Sequence, residues 1–181
     1  FGGKGDKLHL LHIACHGEPG DDGKGVLIFE DGVRVKVADA IGPHNCKALH
    51  GVFLNACHSG LMKDALLANG AAFVITCNQE VVDKAGLDFA KMFYSRLFAE
   101  QSLYEAFEAA EKQLKLTQTR QGRKEIVIEL HCKAPLLQQK MGAGRKTEVQ
   151  LATPSAKVFA SATEEEKALA GEILALLENA Q

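Results

Sequence analysis

Val52-Phe53-Leu54-Asn55-Ala56 runs directly into Cys57-His58-Ser59-Gly60. A short, nearly continuous apolar run that ends in turn residues reads as a strand buried on both faces, as in a parallel sheet. Leu8 to Ala14 is a second run of this kind and stops at His16-Gly17. Ala71-Ala72-Phe73-Val74-Ile75-Thr76 is a third. Between the last two, Leu61 to Asn69 is expected to be helical, with Gly70 as its left-handed stop.

Working outward, Val26–Phe29 and Val33–Val37 flank Asp31-Gly32, a hairpin signal because both turn residues tolerate positive φ. Pro19 to Gly25 reads as a loop, and Ala38 to Ile41 as a short helical turn closed by Gly42-Pro43. Downstream, Lys84 to Ala99 places Leu87, Ala90, Tyr94 and Leu97 on one helical face. Ser102 with Glu105 forms a capping box that opens a second long helix, reaching about Thr117 with Phe107, Ala110 and Leu114 inward. Glu125 to Leu130 alternates as a further strand, about Gln138 to Ser155 reads as loop or linker, and Thr163 to Glu178 as an amphipathic helix. Strands alternating with helices imply an α/β layer sandwich with a largely parallel sheet.

Composition bounds the function. The 181 residues carry 21 Lys+Arg against 23 Asp+Glu, a formal net charge of −2, which lacks the basic footprint of a general nucleic-acid binder. No apolar run approaches the roughly 20 residues that span a bilayer, and no secretory signal opens the chain, so no membrane partner is expected. Five cysteines without a disulfide-framework spacing suit a reducing compartment, the cytoplasm.

Chemistry concentrates at two strand ends. In open α/β sheets, sites form at the carboxyl ends of strands. Two neighbouring parallel strands would therefore present His16 and Cys57 at one edge. A thiol needs a base or an electropositive setting to act as a nucleophile near neutral pH. The nearby glycines let backbone N–H groups approach a substrate carbonyl. Taken alone, Cys57 would more often be a packed structural thiol; its pairing with His16 argues for chemistry. Zinc is the competing reading, since Cys15-His16 and Cys57-His58 form two Cys-His pairs. Neighbours on a strand point to opposite faces, so no metal or cofactor is expected.

The segments His12-Ile13-Ala14-Cys15-His16-Gly17-Glu18 and Val52 to Gly60 together resemble the histidine and cysteine boxes of CHAT-domain peptidases, relatives of caspases and separase. The likeness continues through Gly70 to Ile75, through Val81-Val82-Asp83, and through the helices Phe89–Leu97 and Ser102–Leu114. It covers about Leu8 to Leu114, and the tryptophan common before the Val-x-Asp element is replaced here by Asn78-Gln79.

The resemblance implies a caspase-like three-layer sandwich whose first strands are missing from this chain, since only Phe1 to Lys7 precede the histidine strand. A peptidase core over 1–135 and a loop and helical appendage over 136–181 are expected. It implies a cysteine endopeptidase with His16 as the catalytic histidine, Cys57 as the nucleophile, and the amides of Gly17 and Cys57 as an oxyanion hole. His58, adjacent to the nucleophile, ranks below His16 as the base. Asp83, with Glu80 and Asp39 as weaker candidates, would bind a basic residue before the scissile bond; the alternative for Asp83 is a helix N-cap. Expected partners are a protein substrate, an upstream segment or second chain that completes the sheet, and a regulatory sensor domain. Signalling or defence is the expected setting. A catalytically silent scaffold module is the alternative.

Overall fold

The computed structural model describes residues 9–29, 32–78, 83–121, 126–132 and 136. Among these, β1 (Leu10–Ala14), β5 (Gly51–Asn55), β6 (Phe73–Cys77) and β7 (Ile128–Cys132) form one sheet in the order β1-β5-β6-β7. The first three strands are parallel, with Ala14 opposite Asn55 and Phe53 opposite Ile75, and β7 closes the sheet antiparallel. A second, antiparallel sheet contains β2 (His16–Pro19), β3 (Gly25–Ile28) and β4 (Arg34–Lys36).

Period-two alternation divides β5 between two cores. Phe53, with Phe73 and Ile75, faces α4 (Asp83–Phe98) and α5 (Leu103–Gln121), where Phe89, Phe93, Leu97 and Ala110 are buried. Val52 and Leu54 face the other way, toward α1 (Val37–Ala40), α2 (Pro43–Ala48) and α3 (Lys63–Asn69), in a cluster with Leu27, Met62 and Leu66. Because both faces are covered, β5 has no polar stripe, and its continuous apolar run follows from that. The result is a mixed α/β sandwich with a mostly parallel central sheet, compatible with the caspase-like fold.

The capping box at Ser102 forms as expected. The Glu105 carboxylate accepts the Ser102 N–H at 2.8 Å, and the Ser102 hydroxyl accepts the Glu105 N–H at 3.2 Å. Gly70 ends α3 at φ 111°.

Several expectations shift. His16-Gly17-Glu18-Pro19, where the first apolar run was expected only to stop, is a strand of its own that takes in Pro19, and α2 is an additional helix. The last strand begins at Ile128, later than expected. On α4, Leu87 is only half-buried, and Phe89 and Phe93 fill the core instead. Asp31, the proposed division at 135/136, the loop over 138–155 and the helix over 163–178 lie outside the described residues. Among the described residues no helix is long and apolar enough to cross a membrane.

Candidate active site

The two boxes meet at the carboxyl edge of the parallel sheet. β1 and β5 are adjacent, and the Cys15 amide continues their pairing by donating to the Asn55 carbonyl at 3.4 Å. The chain then leaves the main sheet, so His16 is not on β1 but is the first residue of β2. Gly17 packs directly on the cysteine turn. A Cβ at Gly17 would run into the Cys57 carbonyl oxygen, with the Ala56 methyl only 3.3 Å away. Only glycine permits this approach of two backbones.

After Asn55 the chain reverses through Cys57-His58. His58 adopts a left-handed conformation at φ 55°, uncommon for a residue with a Cβ. A 3-10 turn, Ser59–Met62, follows and leads into α3. The turn is fastened from below by Ser59, whose side chain is fully buried. Its hydroxyl accepts the Cys77 N–H at 2.7 Å, and its proton faces the Leu54 carbonyl at 3.1 Å and the Cys77 carbonyl at 3.2 Å. One hydroxyl, two residues after Cys57, thus joins the ends of β5 and β6.

Within this frame His16 is exposed and Cys57 half-buried. Neither residue is therefore fully enclosed in the core. No hydrogen bond joins the His16 ring to the Cys57 thiol among the described residues. On the small sheet, His16 lies opposite Ile28, which lies opposite Arg34, and Arg34 forms an ion pair with Glu18. Asp83 opens α4 just after β6, at the same edge of the sheet, but its side chain is outside the described residues, as is all of Glu80. Asp39 lies on α1, beyond the small sheet.

Among the described residues no three His, Cys, Asp or Glu side chains are grouped to hold a metal ion. The remaining cysteines are placed differently from Cys57. Cys46 is fully buried and Cys77 nearly so, and burial raises the Cys46 thiol pKa. Burial does the same for Cys132. Cys15 is half-buried, with its thiol 3.3 Å from the His16 carbonyl.

The profile of the CHAT domain matches residues 4–165. The chain belongs to the CHAT domain family. Among curated proteins, no sequence matches it. CHAT domains are associated with caspase-like cysteine peptidase activity. Both boxes of this CHAT domain stand at the sheet edge where such folds place their chemistry. What sequence reasoning missed is Ser59. A serine after a turn is unremarkable in a sequence, and its partner Cys77 arrives only with β6, 18 residues later.

Proposed function

We propose that this CHAT domain is a cysteine endopeptidase that cuts a protein partner after a basic residue. The Cys57 thiolate attacks the scissile carbonyl carbon, and the Gly17 and Cys57 amides stabilise the oxyanion. His16 protonates the departing amine, leaving a thioester on Cys57. Water, deprotonated by His16, then attacks the thioester, and the acid product leaves as the thiol is restored. Asp83, with Glu80 three residues before it, supplies the negative charge that selects the basic side chain.

The single observation that carries this reading is the packing of Gly17 against the Cys57 carbonyl, which brings the histidine box onto the cysteine turn. Among the described residues β1 pairs only with β5. An upstream segment or second chain is proposed to pair with its outer edge, and a sensor domain to control the site. None of the five cysteines is in a disulfide, which fits a cytoplasmic setting.

An acyloxymethyl ketone peptide ending in arginine tests the proposal. Labelling of Cys57 that disappears in His16→Ala, and that is weaker for the same peptide ending in aspartate, is the expected result. The absence of a His16–Cys57 hydrogen bond favours the second reading, a silent scaffold module. Failure to label in the presence of the sheet-completing segment would establish that module and end the peptidase proposal.

A further inference from the structure

His16 shares one face of the small sheet with three charged side chains. Pairing among β2, β3 and β4 sets His16, Ile28 and Arg34 in one row across the sheet, and Glu18, Val26 and Lys36 in the next. Residues directly opposed, and residues two apart on a strand, project from the same side, so both rows lie on one face. The straight pairing within the second row, Glu18 with Lys36, is not made. Lys36 donates instead to Asp22 at 2.9 Å. Glu18 is taken diagonally by Arg34, which reaches across β3 from the row of His16.

This ion pair is too open to serve the fold. The Arg34 side chain is 54% exposed and that of Glu18 35%, and exposed pairs contribute little to stability. Its consequence is local. Glu18 stands two residues from His16, about 6.6 Å along the strand, within the joint reach of the two side chains. The His16 ring is exposed and has no hydrogen-bond or ion-pair partner among the described residues. β3 contributes no titratable group between them, and the cysteine turn adds only Cys57 and His58. A carboxylate that bonds an imidazole fixes the ring and favours its cation. On His16 such a bond would hold the ring over the small sheet and stop it from taking a proton from water.

We propose that Arg34 is a positioning residue for His16: by holding Glu18 across β3, it keeps that carboxylate off the imidazole and leaves the ring free to serve Cys57. The role given to His16 rests on the peptidase reading above, whereas the competition for Glu18 follows from the register of the small sheet. Arg34 and His16 are then alternative partners of one carboxylate. Losing Arg34 harms His16 only while Glu18 is present, which sets this role apart from that of a brace between β2 and β4.

The test compares the native chain with Arg34→Gln, Glu18→Gln and the double variant Arg34→Gln/Glu18→Gln. The His16 Hε1 resonance is followed at pH 7, and Cys57 labelling by the arginine-terminated acyloxymethyl ketone is timed in parallel. In Arg34→Gln the resonance should move downfield, toward its imidazolium position. Labelling should slow about tenfold or more, a small part of what a proton-transfer group supplies. Glu18→Gln alone should behave as the native chain, and the double variant should return to native values in both measurements. Equal effects of Arg34→Gln and Glu18→Gln would reduce the ion pair to a brace and overturn the proposal. Where the native chain labels, an unmoved resonance or a native labelling rate in Arg34→Gln overturns it too. A resonance that moves in Arg34→Gln and returns in the double variant, while no form labels, overturns the peptidase reading instead and leaves the control of His16 by Arg34 standing.

Discussion

The His12 ring nitrogen Nδ1 lies 3.1 Å from the Tyr94 hydroxyl, joining strand β1 to helix α4 across 82 residues of sequence. The ring also stacks on Phe53 at 4.5 Å, and its other nitrogen, Nε2, is sealed from solvent without a partner among the described residues. Whichever tautomer forms, one buried polar atom of this imidazole is unsatisfied. Protonating the ring would add a charge with no counter-charge, and burial pushes the His12 pKa down to about 4.

The pH consequence has a definite sign. The folded-state pKa of about 4 lies below the ordinary value of 6.5, so His12 stays neutral in the native protein while the unfolded chain takes up a proton. As pH falls from 6.5 toward 4 the unfolded state gains protons and stability is lost, by up to about 3 kcal/mol from this group. Urea midpoints measured between pH 7 and pH 5 should fall in the native protein. The double variant His12→Phe/Tyr94→Phe, which removes both polar partners together, should show a flatter profile. An unchanged slope would remove His12 as the cause.

Gly17→Ala tests the meeting of the two boxes. The added methyl group has nowhere to go except into the Cys57 carbonyl. The two backbones must separate, at a cost of roughly 1–3 kcal/mol for an overpacked contact. Thermal unfolding should register the loss, and labelling of Cys57 by the arginine-terminated inhibitor should fall well beyond it. A variant that keeps both its stability and its labelling would show that the contact does not position the thiol.

Much of this architecture was legible, for reasons specific to each element. β1, β5 and β6 announced themselves because burial on both faces demands an unbroken apolar run. α5 did so because its capping box is a local, self-contained interaction. β2 was not legible. His16-Gly17-Glu18-Pro19 has no apolar alternation, contains two residues that disfavour strands, and exists as a strand because β3 pairs with it. The pairing of β7 with β6 was equally hidden, since its antiparallel register depends on how two long helices return the chain. At the site, the sheet edge and the placing of the two candidate residues, His16 and Cys57, near it were readable from where the apolar runs of β1 and β5 stop. The Ser59 anchor and the left-handed His58 were not, because both depend on strands that arrive from elsewhere.

Ser59→Ala should loosen the cysteine turn from beneath. The change leaves the Cys77 N–H without its 2.7 Å acceptor in a fully buried position, and removes the donor facing the Leu54 carbonyl. A buried group left unsatisfied costs about 1–3 kcal/mol. Because the lost bonds lie two residues from Cys57, the rate of Cys57 alkylation should change as well as the unfolding midpoint.

Separating those two effects calls for a variant that loses stability elsewhere. Ser102→Ala removes the hydroxyl that accepts the Glu105 N–H and donates to the Glu105 carboxylate, just before α5 and a whole helix, α4, away from the Asp83 end at the site edge. Loss of such an N-cap costs about 1 kcal/mol, commonly between 0.5 and 2. The expected outcome is a lowered unfolding midpoint in Ser102→Ala with Cys57 alkylation at the native rate. In Ser59→Ala the midpoint falls by a comparable amount and the rate moves. Equal rates in the two variants would mean that Ser59 contributes stability alone, and that the cysteine turn holds its geometry through the Gly17 contact without help from β6.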